Sequence, residues 1–129
     1  DDWHAEYQDS HKADGLILLG YGDYLQARPK LERLVQQGTH FVRWGAVVEG
    51  QPGLSIGCDN VQGGRAISEH LIALGRRRIA FIGDVSEHAP EFADRYAGLG
   101  QALQAAGLAQ DPALQVSASE STELAGERG

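Results

Sequence analysis

The chain has 129 residues, 11 of them basic and 18 acidic, for a formal net charge of −7. That length suits one ordinary domain that folds without a disulfide or metal staple. The acidic balance argues against direct nucleic-acid binding by these residues, and the single cysteine, Cys58, excludes both an internal disulfide and a cysteine-based zinc site.

Asp1-Asp2-Trp3-His4 has neither the basic start nor the apolar stretch of a signal peptide. No later run approaches the ~18 apolar residues of a membrane span, so the expected location is cytoplasmic, with both ends having the look of cut ends. Residues 1–13 are polar and read as the last turns of a helix feeding a strand at Gly15–Leu19. That run is continuously apolar, as expected of a parallel strand buried on both faces. Gly20-Tyr21-Gly22-Asp23 turns the chain into a helix, with Pro29 fitting its first turn and Leu31, Leu34 and Val35 on one face. Gly38 ends it.

A strand at His40–Arg43 runs into Trp44-Gly45, and a loop over Ala46–Gly53 leads to a strand at Leu54–Cys58. Inside that strand Cys58 reads as a small buried hydrophobe. Asp59 or Asn60 caps the next helix, whose apolar face is expected at Ala66, Ile67, Leu71 and Leu74, with His70 as its polar exception. Gly63-Gly64 early in that helix points to close backbone packing or to a ligand's approach. Gly75 stops the helix, and Arg76-Arg77-Arg78 suits its negative end. A strand follows at Ile79–Ile82, then a helix opened by Pro90 with Tyr96, Leu99, Leu103 and Ala106 on one face. Leu114–Val116 is a short strand, and Ser119 or Ser121 caps a last helix.

Alternating strands and helices predict an α/β fold with parallel sheets flanked by helices. In such folds ligands bind beyond the carboxyl ends of the strands. Here those ends carry Tyr21, Trp44, Asp59-Asn60 and Asp84. Aromatic faces beside hydrogen-bonding groups suit a small polar ligand with an apolar side, such as a sugar or a nucleobase. Catalytic readings are poor. The five histidines lack metal-ligand spacing, no GxSxG, Walker A or complete GxGxxG is present, and no cofactor is expected.

The run CDNVQGGRAISEHLIALGRRRIAFIGD, residues 58–84, resembles the core signature of the LacI/GalR family of bacterial transcription regulators. Its parts are Asp59-Asn60, Gly63-Gly64, Glu69-His70-Leu71, and Leu74-Gly75 through Ile82. The upstream DGLILL and the later RYAGLGQALQAAGL of residues 95–108 follow in the right order. The resemblance implies parts of two Rossmann-like lobes of a periplasmic-binding-protein-like domain. Residues 1–75 would belong to the N-terminal lobe and residues 76–129 would begin the C-terminal one.

It also implies a homodimer that senses a small effector, expected to be a sugar, and touches operator DNA only through a headpiece outside these residues. Arg95 matches the arginine of the family's R-x-x-G motif, completed by Gly98, which contacts the effector. Asp59 and Gln62 match a strand-end segment lining the cleft, and Trp44 matches a position near the effector; Tyr21 completes the expected set. A sugar-binding transport protein shares the fold and is the alternative. An enzyme with an Asp59/Asp84 carboxylate pair ranks third.

Overall fold

The computed structural model describes residues 12–19 and 23–117. Tyr21, the polar N-terminal turns and the helix expected from Ser119 or Ser121 lie outside the described residues. Packing divides the chain into two compact units, one ending at Cys58 and the other beginning at Asp59.

In the first unit, β1 (Leu16–Leu19), β2 (Phe41–Trp44) and β3 (Leu54–Ile56) form a parallel sheet in that order. Leu18 lies opposite Arg43, and Arg43 opposite Ser55. Helix α1 (Tyr24–Gln36) covers one face, where Leu31 and Leu34 pack against Leu18 and Phe41. The helix starts well before the proline that seemed to open it in the sequence. The Asp23 carboxylate accepts the Leu25 and Gln26 amides at 2.9 and 3.2 Å, which satisfies the free N–H groups of the first turn. Pro29 therefore sits inside α1, where it removes one bond near the start of the helix.

Burial along β1 alternates. Leu16 and Leu18 are half-buried, whereas Ile17 and Leu19 are 82% and 60% exposed. Among the described residues the sheet is thus covered on one face, not on both as its continuous apolar run suggests. Strand β3 also ends earlier than expected. Its last bond to β2 runs from the Gly45 amide to the Ile56 carbonyl, and Cys58 lies beyond it, exposed.

The second unit contains α2 (Asn60–Ala73), β4 (Phe81–Ile82), α3 (Pro90–Ala105), a 3-10 turn at Pro112–Leu114 and β5 (Gln115–Val116). Strands β4 and β5 pair in parallel as a separate sheet, with Phe81 opposite Gln115. Pro90 opens α3 as its sequence position predicts. At the end of α2 the Gly75 amide donates to Ile72 and the Arg76 amide to Leu71, at 2.9 and 3.1 Å. This closure needs the left-handed φ of +84° that Gly75 adopts.

The packed face of α2 is not the apolar one. Asn60, Gly64 and Ser68 are its buried residues, while Ile67 and Leu74 are each 60% exposed. Small residues win this face because α3 crosses it backbone to backbone. A Cβ on Gly64 would overlap the Arg95 carbonyl, and one on Gly98 would overlap the Val61 carbonyl and the Arg65 amide. Because α2 packs on α3, both helices belong to the second compact unit. Gly63, by contrast, faces open space.

The two neighbouring glycines of α2 should respond oppositely to alanine. Gly98→Ala and Gly64→Ala should each destabilise by about 1–3 kcal/mol through overpacking. Gly63→Ala should stabilise by up to about 1 kcal/mol through helix propensity. Urea melts of the three variants check this.

Candidate functional site

The site is built where the first turns of α2 and α3 meet in the second unit. Asp59 caps α2, its carboxylate accepting the Gln62 amide at 3.0 Å. The capping reading of Asp59 is therefore met, and the carboxylate stays exposed at the helix start. Asn60, the first residue of the helix, is buried. Its Oδ1 accepts the Arg95 Nε–H at 3.1 Å. The guanidinium also lies over the Phe92 ring, 5.3 Å from the centroid, within cation–π range. Phe92 and Arg95 are three residues apart, so they share a helix face.

Acidic groups surround this point. The Asp94 carboxyl is raised above its ordinary value, first by burial and then by the neighbouring charges of Glu91 and Asp59. Asp84 is committed elsewhere, its carboxylate accepting the Ser86 amide at 2.8 Å in a turn. A hollow of about 400 Å³ runs beside α2, with Ile67, Leu71, Phe81 and Leu99 in its walls. The Ser68 hydroxyl in its lining already donates to the Gly64 carbonyl at 2.7 Å. Of the side chains that line this hollow, Arg95 is the one that brings charge to it.

In the first unit the end of β2 holds Trp44, 50% exposed, beside a buried arginine. The Arg43 Nη1 donates to the Ala46 carbonyl at 3.1 Å, and its guanidinium lies 5.2 Å from the centre of the Tyr24 ring. Gly45 leaves room for it, since a Cβ there would come within 3.1 Å of the guanidinium.

No family model and no curated protein matches the chain. Solved structures do. A regulatory protein of LacI family from Chloroflexus aggregans superposes with a TM-score of 0.81 at 26% identity, over 98% of this chain and 43% of its own length. The transcriptional regulator CelR in complex with cellobiose gives 0.72 at 27%, over 90% of this chain and 35% of its own. The transcription regulator GntR from Chromobacterium violaceum gives 0.71 at 25%, over 98% and 44%. The fold is that of the LacI-family transcriptional regulators. The chain spans less than half the length of each of these three proteins.

Of the residues expected to form a LacI-type effector site, Asp59, Gln62 and Arg95 lie in the second unit. There α2 and α3 join through the Asn60–Arg95 bond. Trp44 belongs to the first unit, and Tyr21 lies outside the described residues. Asn60 and Phe92 are the contacts of Arg95 that sequence reading missed. The three-residue spacing of Phe92 and Arg95 was the available signal for one. Asn60 gave none beyond its place after Asp59. Among the described residues no helix is long and apolar enough to cross a membrane, and no group of acidic, histidine and cysteine side chains is placed to hold a metal ion.

The raised Asp94 carboxyl gives a signed pH effect. The folded state disfavours ionised Asp94, so that cost to stability is present at neutral pH. It disappears as pH falls through the raised folded value and below the ordinary 3.8. Asp94→Asn should therefore raise the melting temperature at pH 7, and the advantage should shrink toward zero in acid. Melting curves of both proteins at the two pH values check it.

Proposed function

We propose that this chain is part of the effector-binding and dimerisation region of a LacI-type transcriptional regulator, and not an enzyme. Residues 1–75 belong to the N-terminal lobe and residues 76–129 begin the C-terminal one, and operator DNA is bound through a headpiece elsewhere in the protein, in the cytoplasm. One observation carries the reading. The chain keeps the LacI-family fold over nearly its full length, with Arg95 held at the junction of α2 and α3 by Asn60.

The effector is a small polar molecule, and we favour a sugar. A guanidinium and a carboxylate hydrogen-bond hydroxyls, and an indole covers an apolar ring face. Arg95, Asp59, Gln62, Trp44 and Tyr21 are the proposed contacts. That a relative of this fold was solved with cellobiose supports the class without naming this chain's ligand. A ligand that binds one lobe arrangement better than the other shifts the equilibrium between them. A coupling of about 1–3 kcal/mol changes DNA affinity roughly 5–150-fold.

In the complete regulator, Arg95→Ala should weaken effector binding more than about tenfold, because a hydrogen bond to a charged group is worth roughly 1.5–3 kcal/mol. Operator affinity without effector should stay nearly unchanged. Calorimetric titration across a panel of mono- and disaccharides that includes cellobiose measures the first quantity. Unchanged affinity for the sugar that binds removes Arg95 from the site.

Self-association is the second expectation. Ile17, Leu19, Trp44, Leu54 and Ile56 are all at least half exposed on the three-stranded sheet, more apolar surface than a monomer ordinarily leaves in one place. Sedimentation of the purified chain should show dimers or larger species. A clean monomer at high concentration counts against the dimerisation role.

A further inference from the structure

Arginine can bind a two-oxygen ligand in two ways. It presents Nε with one terminal nitrogen from the side, or both terminal nitrogens from the end. In this structure the first way is closed. The Arg95 Nε–H is donated to Asn60 Oδ1 at 3.1 Å, and Asn60 is buried in the first turn of α2. The guanidinium carbon also lies over the Phe92 ring, 5.3 Å from its centroid. Among the described residues the guanidinium makes its hydrogen bond through Nε, which leaves the two terminal nitrogens as the donor pair.

We propose that Asn60 is the positioning residue of the effector site. It fixes Arg95 through Nε, so that the site receives ligand through the two terminal nitrogens. The ligand class this selects presents two neighbouring acceptor oxygens to one end-on fork, as a vicinal diol does. The proposal rests on the effector-site reading of Arg95, but it makes a claim about Arg95 that holds before any ligand binds.

Asn60 suits the role better than a carboxylate. Its amide oxygen accepts the Nε–H without cancelling the charge, so the full cation stays available to the ligand. Its burial also matters. An acceptor held in the first turn of a packed helix has few alternative rotamers, and the arginine it holds loses less freedom when a ligand arrives.

The test is spectroscopic and uses the chain without ligand. In nitrogen-15 spectra, the Arg95 Nε–H signal is assigned by its loss in Arg95→Lys. It should exchange with water about tenfold more slowly than the Nε–H signals of the exposed Arg76, Arg77 and Arg78, the factor expected of one hydrogen bond. Asn60→Ala should bring it to the rate of those three. Asn60→Asp, which keeps the acceptor oxygen, should restore protection. The backbone amide spectrum reports whether each variant keeps the α2–α3 crossing, and Asn60→Ser replaces Asn60→Ala if that variant unfolds.

Protection in the native chain that vanishes in Asn60→Ala and returns in Asn60→Asp supports the proposal. An Arg95 Nε–H exchanging as fast as the exposed arginines, or unaltered by Asn60→Ala, overturns it. Neither result bears on whether Arg95 touches effector, which the Arg95→Ala titration decides separately.

Discussion

Gly64 and Gly98 let two helix backbones touch, and the arrangement of the second unit depends on that contact. A side chain at either position would run into the facing main chain. Asn60 lies one turn before Gly64, and Arg95 lies nearly one turn before Gly98. Fixing the crossing therefore fixes the distance between these two side chains. The 3.1 Å bond between them is a consequence of a packing constraint four and three residues away. Pairs of glycines in helices ordinarily cost stability. Here Gly64 of the neighbouring pair carries the approach, while Gly63 meets nothing.

The elements themselves were legible. Parallel strands showed as apolar runs, the α2 start as Asp59, the α3 start as Pro90, and the α2 end as Gly75. Each of those signals is local: a cap, a fixed φ, or a positive φ. What the sequence hid was which side of α2 faces its partner. Apolar periodicity pointed to Ile67 and Leu74, yet the packed stripe is Asn60, Gly64 and Ser68. Hydrophobic pattern identifies faces that exclude water by bulk. It is blind to a face that excludes water by fitting two backbones together. Pro29 misled for a related reason: Asp23 had already satisfied the first amides, so the helix began without waiting for the proline.

The candidate site was legible in part. Arg95 and Asp59 stood out through the motif resemblance, and the structure joins their helices. Arg43 did not stand out, because a charged residue in a short strand reads as outward-facing. It is instead 5% exposed. The Tyr24 ring, the Ala46 carbonyl and the space left by Gly45 accommodate it. Gly45 and Ala46 follow Arg43 directly in the chain, whereas Tyr24 comes from the start of α1 and is brought to it by the fold.

The electrostatics around Arg95 explain why a neutral partner matters there. Burial first, and then the charges of Glu91 and Asp59, raise the Asp94 carboxyl. An arginine with no fixed partner is free to pair with a nearby carboxylate. Such an ion pair at a partly wetted surface gains little stability. It would, however, occupy the nitrogens a ligand needs. Asn60 holds the guanidinium with a neutral, buried side chain whose position the helix crossing dictates. Holding Nε, with the guanidinium over the Phe92 ring, leaves the charge directed and unspent. Within one packed pair of helices, the small residues set the geometry and the amide sets the direction.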